Sequence, residues 1–195
     1  MTSNLRCEAL VRLIAATCVL FATANAHAVN PDVSRTCSGV CEIQVEYRNG
    51  DISFGSGFLV DREHGLVVTN FHVINGGFRG TLSFEGIDQR FAFESCGYSI
   101  ENDLAILRVD AKAHASVLEK VWEFELAGVD PAPASTVFAI GYPGGLGFTV
   151  KRGIVTALRV WGTQIDPNGT NAKFGIDPAS RWIVHDCGTK RGNSG

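Results

Sequence analysis

"VCEIQVEYRNGDISFGSGFLV", residues 40–60, reads as two β-strands joined by a tight turn. Ile43, Val45 and Tyr47 recur at every second position in its first half, which puts them on one face of an extended chain. Asn49-Gly50 followed by Asp51 is the turn chemistry of a hairpin. Gly55 and Gly57 mark places where another backbone can approach a strongly coiled strand. Further short segments rich in Val, Ile, Leu and Phe follow at 66–69, 80–84, 90–95 and 104–109. Six short strands in close succession predict a small barrel or sandwich, not an α/β sheet.

Beyond this first β region, the spacing of Ala113, Val117, Val121 and Trp122 predicts a helix over 112–122. Asp130-Pro131-Ala132-Pro133 has the composition of a linker. A second β region is expected at 136–141, 148–160 and 182–186, with the polar, turn-rich stretch "DPNGTNAKFGIDPAS" (166–180) as a surface loop. The sequon Asn168-Gly169-Thr170 lies in that loop and is read as a chance match. About three strands make this second region look incomplete beside the first.

The N-terminus, "MTSNLRCEALVRLIAATCVLFATANAHA" (1–28), has Arg6 and Arg12, an apolar run over 13–24 and small residues at Ala24, Ala26 and Ala28. This is the layout of a cleaved secretory leader. The run falls short of the roughly 20 apolar residues of a membrane span. An exported, secreted or periplasmic chain without a span after leader removal is expected. The net charge of −3 and the lack of a basic cluster argue against nucleic acid as a partner. Cys37, Cys41, Cys96 and Cys187 remain after the leader, an even number that suggests two disulfides in an oxidising compartment. A Cys37–Cys41 bridge needs a turn at Ser38-Gly39, because four extended residues exceed the roughly 7 Å limit on Cα separation. Zinc is a poor fit, since Cys37-x-x-x-Cys41 has no second ligand pair at metal spacing.

Four stretches carry chemistry: "GSGFLV" (55–60), "GLVVTNFHV" (65–73), "NDLAIL" (102–107) and "GNSG" (192–195). Taken singly each is weak, because His72, Asp103 and Ser194 could be ordinary turn or surface residues. Together they place His, Asp and Ser in the chain order of chymotrypsin-type enzymes, unlike the orders of α/β-hydrolases and subtilisins. A buried "VVTN" strand would deliver His72 to a barrel rim, and the apolar "LAIL" would hold Asp103 at its mouth. Gly192 allows a turn with positive φ in which two backbone N–H groups face one point.

These motifs, with "AIGYPGGLGFTVKRGIVTAL" (139–158) and the Asp186-to-Gly195 segment, resemble the trypsin-like serine peptidases of the bacterial exported, Do-like type. The resemblance covers roughly residues 38–195. It implies an all-β fold: a double β-barrel of the chymotrypsin type, the first barrel complete and the second incomplete in this sequence. The implied layout is a leader at 1–28, an N-terminal barrel with a connecting helix at 29–125, and a partial second barrel at 126–195. It also implies a serine endopeptidase acting on proteins or peptides, with His72, Asp103 and Ser194 as catalytic triad, the N–H groups of Gly192 and Ser194 as oxyanion hole, and no cofactor or metal.

Several positions depart from the family pattern. Lys190 and Arg191 stand where small or neutral residues are usual, Cys187 follows Asp186, and the Asp103-to-Ser194 separation is long. The family has further strands after the nucleophile, and here one residue follows Ser194. A chain of this extent is therefore expected to be an inefficient peptidase, the product of a truncated frame or incomplete gene. The alternatives are a binding module on a peptidase scaffold, an inactive fragment, or an esterase using the same machinery.

Overall fold

The computed structural model describes residues 33–143, 147–165, 167–169 and 177–189. The expected leader lies outside the described residues. Helix α1 (Val33–Cys37) leads into β1 (Val40–Glu46), β2 (Ile52–Asp61), β3 (Leu66–Thr69), α2 (Phe71–Ile74), β4 (Arg79–Phe84), β5 (Phe91–Ser99) and β6 (Leu104–Val109). These six strands close into an antiparallel barrel in the order β1-β2-β3-β6-β5-β4. The β1–β2 hairpin runs from Val40 opposite Phe58 to Glu46 opposite Ile52. Its loop is closed by Tyr47 N–H donating to Asp51 O and Gly50 N–H donating to Tyr47 O.

Alternation along β1 has the expected consequence: Cys41, Ile43 and Val45 are buried in the barrel core with Leu59, Leu82 and Phe91. β3 and β6 differ, since Leu66, Val68, Leu104 and Ile106 form a second cluster on the other side of the sheet, joined by Phe58 and Leu126. Both faces of these strands are covered, which is why "LVVT" and "LAIL" read as unbroken apolar runs.

β2 bends around the core through its two glycines. A Cβ at Gly55 would lie 2.5 Å from Cγ1 of Val73, and one at Gly57 would lie 2.8 Å from Cδ1 of Ile43 and 3.0 Å from the carbonyl of Val68. The strand can coil this closely only where it lacks side chains on that face.

The helix expected over 112–122 is a single turn, α3 (Ala115–Leu118). Asp110 Oδ1 accepts the N–H of Ala113, and Trp122 N–H donates to Ser38 Oγ, so each end is drawn into a turn. Between them Lys120 and Val121 donate to Val117 O and Leu118 O in tight i→i+3 bonds. Leu118 and Val121 still reach the barrel core.

The second β region is a three-stranded antiparallel sheet in the order β7-β8-β9, built from β7 (Thr136–Gly141), β8 (Thr149–Trp161) and β9 (Arg181–His185). A four-residue helix, α4 (Gly162–Ile165), follows β8 at the start of the expected surface loop. Among the described residues the buried core of this sheet is small: Val137, Val155 and Cys187. The architecture is thus all-β, one closed barrel followed by a partial second sheet.

The disulfide expectation is not met, as all four cysteines are thiols. Cys41 points into the barrel core, Cys96 packs beside the Leu66–Ile106 cluster, and Cys187 belongs to the second sheet. These three lie in three separate apolar environments. Burial also pushes the Cys41 thiol well above its ordinary pKa.

Gly55→Ala should force Val73 or β2 to move and cost about 1–3 kcal/mol, as overpacked cores do. Denaturant unfolding of the variant against wild type measures it; unchanged stability would mean that the Val73 contact does not constrain β2.

Candidate active site

Residues 70–73 turn the chain sharply at the end of β3. Thr69 is buried, and its Oγ1 donates to Ser56 O at 2.7 Å, fixing the strand end against β2. The chain then enters the one-turn helix α2, whose Val73 is buried against Gly55. With Val73 held inward, His72 projects from the rim and keeps 45% of its side chain exposed.

Asp103 arrives from the β5–β6 turn, where its N–H donates to Ile100 O at 3.1 Å. Its backbone sits at φ 50, in the left-handed region that Asp and Asn tolerate better than most residues. Both carboxylate oxygens are committed to one residue. Oδ1 accepts the backbone N–H of His72 at 2.9 Å, and Oδ2 lies 2.6 Å from His72 Nδ1. Asn70 Nδ2 donates to the Asp103 carbonyl at 2.8 Å, so the two loops are clasped at three points. The Asp103 side chain is only 11% exposed, so little water competes for its oxygens. With the carboxylate accepting, the imidazole proton lies on Nδ1 and the lone pair on Nε2. A half-exposed imidazole in that tautomer can take a proton from a neighbouring hydroxyl.

The rim is braced from the second sheet. Tyr142 N–H donates to Ser56 Oγ at 2.9 Å, and its hydroxyl donates to Glu85 at 2.5 Å. Burial, and then the hydrogen bond to Glu85, raise the Tyr142 phenol well above its ordinary pKa. Asp177 N–H donates to Glu101 O, two residues before Asp103. Phe71 stacks on Tyr98 at 4.9 Å beside the His72 turn.

The structure therefore brings His72 and Asp103 together; Gly192 and Ser194 lie outside the described residues. Sequence reasoning missed Ser56 and Asn70. Ser56 carried one faint signal, a polar side chain held between two glycines just before the apolar run Phe58–Val60. Asn70 carried another, an amide placed directly between a buried strand and the histidine.

Residues 55–195 match the trypsin-like peptidase domain, and the chain belongs to that family. It is 34% identical over 145 residues to the chloroplastic Protease Do-like 1 of Arabidopsis thaliana, covering 72% of this chain and 29% of that one. The periplasmic serine endoprotease DegP of Escherichia coli is 28% identical over 144 residues, covering 74% and 27%. Among solved structures, an HtrA-type protease, AlgW with tripeptide, superposes with a TM-score of 0.66 at 25% identity, covering 84% of this chain and 47% of that one. The chain thus spans under a third of the length of these curated relatives.

Asp103→Asn should retain the turn, whereas Asp103→Val should be less stable than Asp103→Asn by about 1–2 kcal/mol, the usual cost of a left-handed backbone. Thermal unfolding of the two variants tests this; equal stability would show that φ at 103 is not restrictive.

Proposed function

We propose that the chain carries the catalytic machinery of a serine endopeptidase, with protein or peptide substrates. The observation that carries this reading is the 2.6 Å contact of Asp103 Oδ2 with His72 Nδ1, beside an imidazole that is nearly half exposed. Membership of the trypsin-like peptidase family supports it, as do relatives named as a protease and as a periplasmic serine endoprotease.

In this reading Ser194 Oγ attacks the scissile carbonyl carbon while its proton passes to His72 Nε2. The tetrahedral oxyanion is held by the N–H groups of Gly192 and Ser194. The C–N bond then breaks, and His72 returns the proton to the departing amine. Water attacks the resulting ester, again losing a proton to His72; the bond from the acyl carbon to Ser194 Oγ then breaks, His72 returns that proton to Oγ, and the carboxylic acid leaves. Asp103 holds the imidazole in the working tautomer and stabilises the imidazolium. No step calls for a metal or cofactor.

The proposed layout is a leader at 1–28, a first barrel within 29–125 and the second β region within 126–195. Export to the periplasm or outside the cell agrees with the leader-like N-terminus and with the periplasmic location named for the E. coli relative. No described helix is long and apolar enough to cross a membrane.

Ser194→Ala and His72→Ala should each abolish nearly all peptide hydrolysis and labelling by a fluorophosphonate probe, because triad members act as a unit. Asp103→Asn should lower turnover roughly 10⁴-fold. Wild-type turnover in Ser194→Ala would end this assignment. Position 188, six residues before Ser194, is glycine where basic-specific trypsin-like enzymes resemble one another in having an acid, and Lys190 and Arg191 add positive charge nearby. Cleavage after Lys or Arg should thus be disfavoured by charge repulsion. Digestion of a random peptide library checks this, and cuts mainly after Lys or Arg would overturn it.

A further inference from the structure

β9 ends at His185, opposite Val155 of β8, but β8 continues past it. The overhanging stretch of β8 grips the chain that leaves β9. Asp186 Oδ1 accepts the N–H of Ile154 at 2.7 Å. The Cys187 side chain is buried against Val137, with Sγ 3.8 Å from the Val137 carbonyl. Lys151 Nζ donates to the Gly188 carbonyl at 2.6 Å. Gly153 makes room for this grip, since a Cβ there would lie 2.3 Å from Asp186 Oδ1 and 2.8 Å from Cys187 N. Three consecutive residues are thereby fixed by one short piece of strand and its neighbour.

Gly188 is the last of the three, and its φ of 59 lies in the left-handed region that favours glycine. Ser194 is six residues further on. A hydrogen bond from an ammonium is among the stronger kinds available. It meets the chain at the last fixed point described before the nucleophile. We infer that Lys151 is a positioning residue for Ser194: its ammonium anchors the Gly188 carbonyl and so sets where the segment bearing the nucleophile starts. This rests on the proposed role of Ser194. An anchor on the Gly188 carbonyl orients the segment that leads to the nucleophile and not the substrate, so its removal should slow the chemical step and leave substrate binding nearly intact.

The test compares wild type, Lys151→Met, Lys151→Arg and Ser194→Ala in the full chain, by peptide hydrolysis and by amide hydrogen exchange. Met keeps the length and loses the donor; Arg restores a cationic donor. Lys151→Met should lower kcat about tenfold or more, with KM within about twofold, as expected when an interaction serves orientation rather than binding. Exchange over 186–195 should quicken, with the barrel amides and the unfolding midpoint unchanged, and Lys151→Arg should restore most of both signals. Unchanged kcat in Lys151→Met would overturn the inference, as would an Arg variant as impaired as Met. Absence of Ser194-dependent turnover in wild type would instead overturn the peptidase reading. Exchange then decides the anchor by itself, and unchanged exchange over 186–195 in Lys151→Met would overturn it.

Discussion

Val73 lies against the bare backbone of Gly55, and much of the rim depends on that contact. It anchors a helix of only four residues, which is far too short to be stable by itself. With Val73 seated in the barrel core, the neighbouring His72 has one direction left, outward. Ser56, beside Gly55, then serves two elements at once: its carbonyl takes Thr69 at the end of β3, and its hydroxyl takes the backbone of Tyr142 at the end of β7. One short glycine-flanked stretch of β2 thus fixes the histidine turn and the entry to the second sheet together.

The two halves of the molecule are held by different means. The barrel has a large apolar interior, sealed by Leu118 and Val121 from the connecting segment. Among the described residues the second sheet buries little, and its order comes more from polar ties, such as those of Asp186 with Ile154, Lys151 with Gly188 and Arg159 with Asp130. Hydrogen bonds of this exposed kind contribute modestly to global stability, but they fix direction well. That division suits a scaffold whose well-packed half presents an imidazole and a carboxylate.

Much of this was legible in the sequence because strands with one buried face leave a period of two. The β1 alternation, the Asn49-Gly50 turn and the glycines of β2 all had visible local causes. Residues 112–122 misled because Val117, Val121 and Trp122 have helical spacing, while the bonds that interrupt the helix come from Asp110 and from Ser38, 84 residues from Trp122. The four-residue helix at 71–74 is too short to leave any periodicity. His72 and Asp103 could be picked out through motif order, but the clasp by Asn70 and the bracing by Ser56 join residues distant in sequence and left only faint local signals. The cysteine count suggested bridges, since number says nothing of which apolar layer each thiol enters.

Asp103 combines two requirements that usually fall on different residues. Its backbone lies at φ 50, and its side chain must supply two acceptor oxygens to one neighbour. Glycine would suit the first and fail the second. Glutamate would offer the oxygens from a longer arm and pay the left-handed penalty. Asparagine would keep the turn but replace one acceptor with a donor aimed at Nδ1. Position 103 is therefore nearly closed to gradual sequence drift: each single replacement gives up either the shape of the loop or the charge beneath the imidazole.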